Sequence, residues 1–111
     1  MRLASCASVA AALPLAGCGG AGPPAVTHPP VQLTAQEQRG KQLFVPDCGS
    51  CHRLADAGTS GSAGPSLDEH PWRAVYVREV IASGPGLMPD GLLTGADADA
   101  VAAYVVAVTR R

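Results

Sequence analysis

The chain has 111 residues, 47% of them hydrophobic, and its eight basic and nine acidic residues give a formal net charge of −1. This length allows one small domain, and a near-neutral balance without a basic cluster argues against nucleic-acid binding. The aromatic residues are one Trp, two Tyr and one Phe, beside 13 Gly and 10 Pro. Because small domains are already marginal in stability, so few large side chains suggest that something else fills the interior.

The N-terminal segment is predicted to be a targeting peptide. Arg2 precedes a mostly apolar stretch, residues 3–13, which is too short and too weakly hydrophobic for a membrane-spanning helix. The following Leu15-Ala16-Gly17-Cys18 resembles a bacterial lipoprotein signal, which implies removal of residues 1–17 and attachment of lipid to Cys18. The alternative is an ordinary secretory signal cut near Ala16 or beyond it.

Residues 18–33 are predicted to form a tether. They are rich in Gly, Ala and Pro and have no hydrophobic period, so His28 within them is interpreted as a solvated spacer residue. A lipid on Cys18 would hold the rest of the chain at a membrane surface without spanning the membrane. The folded domain is expected to occupy residues 34–111.

A capping box predicts the start of the first helix of this domain. Thr34 is followed three positions later by Glu37, an arrangement in which each side chain caps the backbone N–H of the other residue. We expect this helix to reach about Phe44, before Pro46. Gly40 lowers the helix propensity, which suggests that another element approaches the backbone closely there.

Two further helices are predicted, over residues 72–82 and 96–109. Thr94 is the expected N-cap of the third helix, with Asp97 in the capping-box position. Apolar residues at helical spacing define the expected buried faces, namely Val75, Tyr76 and Ile81 in the second helix and Val101, Tyr104, Val105 and Val108 in the third.

The remaining segments are predicted to be loops. Residues 53–71 contain three Gly and two Pro and cannot continue a helix, and no alternating pattern predicts a strand. The fold class is therefore all-α with long irregular connections. A loop this long in so small a domain is usually functional or wrapped around something.

Cys48-Gly49-Ser50-Cys51-His52 is the strongest signal in the chain. In a helical turn both sulfurs lie on one face and can reach the two vinyl groups of one haem, and His52 follows as a ligand for the iron. A zinc site is one alternative, but it needs four ligands and the mature chain lacks a second Cys pair. A dithiol redox pair is the other, but such pairs lie on a strand–helix unit that the pattern does not predict.

Met88 is the favoured second axial ligand. It is the only Met beyond the targeting peptide, and it lies in a Gly/Pro-flanked loop where packing alone gives little reason for it. His70 and an open coordination position are the alternatives. A thioether favours Fe(II), so His/Met ligation raises the reduction potential, and two protein ligands leave no position for a substrate.

From Gln38 to Arg111 the chain resembles the small monohaem class I cytochromes c. The residues that carry the resemblance are, in order, Gly40, Phe44, Cys48-Gly49-Ser50-Cys51-His52, Gly64-Pro65-Ser66-Leu67, Met88-Pro89 and Tyr104. The resemblance implies three to four short helices and long loops wrapped around one covalently attached haem c. Thioethers would form at Cys48 and Cys51, and His52 and Met88 would ligate the iron.

The resemblance also implies several supporting contacts. Gly40 would let the first helix cross the last near Tyr104, and the Pro65 carbonyl would accept a hydrogen bond from the His52 ring. Leu67, Ile81 and Trp72 would line the haem pocket.

The expected function is one-electron transfer between membrane-bound respiratory complexes, not catalysis. The protein would be a monomer, lipid-anchored to the outer face of a bacterial cytoplasmic membrane or periplasmic. A haem subunit of a larger dehydrogenase or oxidase, or a ligand-binding haem sensor, is the alternative. Since Lys41 is the only Lys, a lysine-rich docking ring is not expected, and a tether at the membrane would raise the local concentration instead.

Overall fold

The structure is a computed structural model that describes residues 17, 19–20, 22 and 29–110. Cys18, His28 and residues 1–16 lie outside the described residues. The elements in chain order are helix α1 (Ala35–Asp47), strands β1 (Arg53–Leu54) and β2 (Thr59–Ser60), a 3-10 helix (Leu67–Glu69), helix α2 (Ala74–Ser83) and helix α3 (Gly95–Thr109). The predicted fold class, helices joined by long loops, is confirmed. No helix among the described residues is long and apolar enough to cross a membrane.

Helix α1 starts at the predicted capping box but ends later than predicted. The Thr34 hydroxyl accepts the Glu37 N–H, and the Glu37 carboxylate accepts the Thr34 N–H. The helix continues through Pro46 to Asp47, three residues beyond Phe44. Proline removes one backbone donor, but the N–H groups of Cys48 and Gly49, the two residues after Asp47, both donate to the Phe44 carbonyl and keep the helical path. This extension carries the helix directly into the cysteine turn.

Helices α1 and α3 form the centre of the domain. A Cβ on Gly40 would overlap the carbonyl oxygen of Ala100 and lie 2.7 Å from the Tyr104 Cβ, which confirms the predicted close approach. Phe44 and Tyr104 are buried and pack edge to face, with ring centroids 5.9 Å apart. The expected buried face of α3 is confirmed, since Val101, Tyr104, Val105 and Val108 all lie in the core.

The predicted start of α2 and the predicted capping of α3 are corrected in detail. Helix α2 begins at Ala74, because its N-cap Arg73 is extended, and the preceding Trp72 donates its backbone N–H to the Thr109 hydroxyl at 3.4 Å. Thr94 is the N-cap of α3, but its side chain makes no capping bond, and Asp97 instead pairs with Arg39 on α1 at 3.3 Å. This ion pair between neighbouring helices takes the carboxylate that the capping box would have used.

The expected buried stripe of α2 is only partly correct. Ile81 is buried, but Val75 is 59% exposed and Tyr76 is 50% exposed. The inward face is completed instead by Val77, which packs against the core. Helix α2 therefore contributes a narrower apolar face than the count of apolar residues suggested.

The long loop after α1 contains a short antiparallel ladder that the sequence did not predict. Arg53 pairs with Ser60 and Leu54 with Thr59. Two residues per strand are too few to show an alternating pattern, which explains why no strand was predicted here. The ladder folds the Gly-rich loop back toward the end of α1.

Candidate cofactor site

The two cysteines lie on one turn that continues α1. The carbonyl of Cys48 accepts the N–H of Cys51 at 3.1 Å and the N–H of His52 at 2.9 Å. The Cys48 side chain is buried at the end of α1, whereas Cys51 is exposed, and the two are not joined as a disulfide. The sequence therefore presents both sulfurs and the imidazole from one short, hydrogen-bonded segment.

The electrostatics of Cys48 oppose a dithiol redox role. Burial, with smaller contributions from the nearby Asp47 carboxylate and from Cys51, raises the pKa of its thiol to about 11. Reactive redox cysteines need a lowered pKa, because the thiolate is the nucleophile. Cys48 instead keeps its proton at neutral pH, which disfavours the dithiol interpretation.

The His52 ring is held from one side by the backbone of residues 64–65. Its Nδ1 lies 2.9 Å from the carbonyl oxygen of Pro65. Because a carbonyl only accepts, this bond requires the proton on Nδ1 and leaves the Nε2 lone pair available to a metal. A Cβ on Gly64 would lie 2.5 Å from Cε1 and 2.8 Å from Nδ1 of the ring, so only glycine lets the backbone approach it so closely.

The ladder braces the backbone of the cysteine turn. The Thr59 hydroxyl donates to the His52 carbonyl at 2.9 Å and accepts the Leu54 N–H at 3.1 Å. The N–H of Gly64 donates to the Cys51 carbonyl at 2.8 Å. Sequence reasoning missed Thr59, because a Thr inside a Gly-rich loop carries no signal of its partner.

A second brace anchors the same loop to α3. The Tyr104 hydroxyl donates to Asp56 Oδ2 at 2.7 Å, and Lys41 Nζ lies 3.1 Å from the same oxygen. Burial, followed by the hydrogen bond to Asp56, raises the pKa of Tyr104 well above its ordinary value. Sequence reasoning missed Asp56 as well, although it could have asked which group satisfies the hydroxyl of a Tyr predicted to be buried.

One cavity of about 520 Å³ brings the predicted site residues together. Its volume falls within the range of about 300–1,000 Å³ typical of small-molecule and cofactor sites. Its walls are predominantly apolar and come from the cysteine turn, from residues 63–67, and from all three helices and the loop after α2. The predicted residues that line it are Cys48, Cys51, His52, Pro65, Leu67, Trp72, Ile81 and Met88.

The two candidates for the second axial ligand occupy different environments. Met88 is partly buried, packs against the core and lines the same cavity as His52. His70 is exposed and is not among the residues that line the cavity; its ring packs against Trp72, with centroids 4.0 Å apart. The Trp72 indole N–H donates to the Leu67 carbonyl at 2.9 Å, which fixes this ring at the cavity wall.

These residues fit a covalently attached haem. A flat apolar macrocycle suits the lining, the cysteine pair lies at the wall, and His52 is oriented with Nε2 as an available ligand. Zinc fits poorly, because no three His, Cys, Asp or Glu side chains in the described part of the chain come together as a possible metal site.

Comparison with known proteins agrees with this geometry. The family described as "Cytochrome C oxidase, cbb3-type, subunit III" matches residues 35–105. Among solved structures, the chain is similar to the c-type cytochrome SorU from Sinorhizobium meliloti. The two share 38% sequence identity with a TM-score of 0.63, over 67% of this chain and 91% of that one. No curated protein matches the chain.

Proposed function

The chain belongs to the cytochrome c family, with covalently bound haem c as its cofactor, and on this premise we propose that it is a one-electron carrier with a single haem and His/Met axial ligation. When bound, the group supplies an Fe(III)/Fe(II) couple. Cys48 and Cys51 would hold it through thioethers, and His52 and Met88 would supply the two axial ligands. With both axial positions occupied by side chains, no position would remain for a substrate.

The single observation that carries the proposal is the shared cavity. Met88 and His52 line it together with both cysteines, whereas the rival His70 is exposed outside its lining. The bond from His52 Nδ1 to the Pro65 carbonyl supports the ligand role of the other ring nitrogen, since this second contact fixes both tautomer and orientation. The apolar lining together with the soft thioether would favour the reduced state and raise the reduction potential.

The ligand assignment is tested by the optical spectrum of the holoprotein. Wild type should show the weak near-infrared charge-transfer band of a Met sulfur–iron bond when oxidised, and little CO binding when reduced. Met88→Ala should lose the band, lower the potential and bind CO, because the coordination position opens.

His70→Ala is the matched control, since it removes the rival ligand, which is not among the residues that line the cavity, and its spectrum should be that of wild type. If His70→Ala changes the ligation while Met88→Ala does not, the assignment is wrong. Free CO binding by wild type would instead favour a ligand-binding haem sensor.

We further propose that the protein works at a membrane surface in the bacterial cell envelope, anchored by lipid on Cys18 and exchanging electrons with membrane-bound redox complexes. Cytochrome c domains are typically extracytoplasmic, which supports this location. The sole Lys, Lys41, is paired with Asp56, and the Arg residues are scattered along the chain, so a lysine-rich ring that would steer an acidic partner is not expected. A tether would compensate by raising the local concentration at a membrane-bound partner.

A second candidate is a haem subunit inside a stable complex. The description of the matching family names a subunit of an oxidase, and this favours the second candidate enough to test it. Detergent-solubilised membranes separated on a native gel and stained for covalent haem distinguish the two. Migration at the mass of the chain supports a free carrier, and migration with a much larger enzyme supports a subunit.

A further inference from the structure

The loop that carries Met88 is closed at both ends onto the last turn of α2. The N–H of Gly84 donates to the Val80 carbonyl and the N–H of Gly91 donates to the Ile81 carbonyl, both at 3.0 Å. Within the loop, the N–H of Met88 donates to the Pro85 carbonyl at 3.2 Å. The backbone on either side of Met88 is therefore fixed to a helix whose Ile81 is buried in the core.

Gly84 is the point at which the two ends of this loop meet. It has a φ of 56°, in the left-handed region, and forms the C-cap of α2. A Cβ at this position would overlap the backbone N of Asp90 and would lie 2.6 Å from both the Asp90 Cα and the Met88 carbonyl oxygen. All three are backbone atoms, so a side chain at position 84 cannot be accommodated by rotating a neighbour out of the way.

We infer that Gly84 is a positioning residue for Met88, an inference that rests on the proposed ligand role of Met88. Any side chain at position 84 requires the separation between its Cβ and the Met88 carbonyl oxygen to widen from 2.6 Å to the ordinary contact distance of 3.4 Å, a relative shift of about 0.8 Å. Functional side chains generally need to be held within about 0.5 Å of their productive position. As an iron ligand the Met88 thioether would be neutral, and displacing its backbone would weaken the bond that it could make.

Gly86 supplies a matched control in the same loop. Its φ of 63° is close to that of Gly84, but a Cβ there would meet no atom within 4 Å. Gly86→Ala therefore imposes the same left-handed strain as Gly84→Ala without the backbone overlap. A difference in iron ligation between the two variants therefore reports the backbone overlap at position 84 and not the left-handed strain, which they share.

The experiment compares wild type, Met88→Ala, Gly84→Ala and Gly86→Ala as holoproteins. It measures the near-infrared sulfur–iron band, the CO affinity of the reduced form and the thermal midpoint. We expect Gly84→Ala to lose most of the band and to bind CO at least tenfold more tightly than Gly86→Ala. Both variants should lose some thermal stability, because alanine is strained in the left-handed conformation that both positions adopt. A purely structural role for Gly84 would lower the midpoint without changing the band.

The outcomes separate this inference from the proposed function. If wild type shows the band and Gly84→Ala keeps it, or if both glycine variants lose it equally, the positioning role is refuted while the Met88 assignment stands. If wild type itself lacks the band, the Met88 assignment fails and the inference fails with it. Should Gly84→Ala not fold, Gly84→Asn against Gly86→Asn repeats the comparison, because Asn tolerates the left-handed region best among residues that carry a Cβ.

Discussion

Removing the Tyr104 hydroxyl should cost stability through the loop that it anchors. Tyr104 is fully buried, and its hydroxyl donates to Asp56 Oδ2 at 2.7 Å. Tyr104→Phe keeps the edge-to-face packing on Phe44 and removes this one donor, so the carboxylate keeps Lys41 at 3.1 Å. A hydrogen bond to a charged group contributes about 1.5–3 kcal/mol, so we expect a loss of about 2 kcal/mol. In a domain of this size that corresponds to a fall in Tm of roughly 8–16 °C.

The pH dependence of this difference has a definite sign. The pKa of Tyr104 is raised in the folded state from the ordinary tyrosine value of 10.0, because burial and the bond to Asp56 favour the neutral phenol. The stabilisation is therefore fully present below pH 10 and is lost as pH rises above it, because the unfolded chain then gains stability by ionising the phenol. The gap between wild type and Tyr104→Phe should be constant from neutral pH to about pH 9 and shrink above pH 10.

Thermal unfolding of the holoproteins, followed by far-ultraviolet circular dichroism across pH 6–11, measures this gap. Tyr76→Phe is the matched control, since the Tyr76 ring is half exposed and stacks on Trp72, with a centroid distance of 5.7 Å. Removal of the hydroxyl from this half-exposed side chain should change stability by no more than about 0.5 kcal/mol. If Tyr104→Phe is as stable as wild type, or if the gap widens above pH 10, the proposed brace does not work as described.

Two remaining predictions concern the helix crossing and the anchor. Gly40→Ala should destabilise the domain by roughly 1–3 kcal/mol in a denaturant titration, because its Cβ would overlap the Ala100 carbonyl. In a solvent-exposed helix the same substitution is stabilising, so the sign of the change in unfolding free energy tests the contact. Cys18→Ser should move the haem-stained protein from the membrane to the soluble fraction and abolish labelling by a radioactive fatty acid, because the lipid would have no attachment point. Fatty-acid labelling of the Cys18→Ser variant, or recovery of all the wild-type protein in the soluble fraction, would contradict lipid attachment at Cys18.

The sequence was sufficient to predict those features that depend only on residues close together in the chain. The capping box at Thr34 needs only one turn of chain, and the spacing of Val101 to Val108 needs only a helix with one buried face, so both were predicted correctly. Asp97 was assigned to a cap by the same kind of rule, and there the prediction was wrong, because Arg39 on another helix competes for the carboxylate. A single sequence contains no measure of which partner wins once the chain has folded.

The contacts that the sequence could not predict lie in the long loop, and they are the ones that set the geometry of the site. Its glycines indicate only that no helix continues there, whereas the structure uses Thr59 to brace the cysteine turn and Asp56 to attach the loop to α3. Both partners are polar residues whose roles depend on contacts remote in sequence. The prediction that Val75 is buried was wrong for a related reason. Helix α2 turns only one narrow face to the core, and the number of apolar residues in the helix does not show which of them lie on that face.

The shortage of large side chains and the shape of the site have one explanation. Phe44, Cys48, Ile81, Val101 and Val105 belong to the buried core and also line the cavity, so the core and the cofactor site share walls. A domain with so little aromatic mass gains its missing apolar contacts by building its helices around a bound group. The proposed ligands His52 and Met88 line the same cavity and would be positioned by the packing that stabilises the fold. Substitutions that loosen the packing should therefore alter ligation before they unfold the domain.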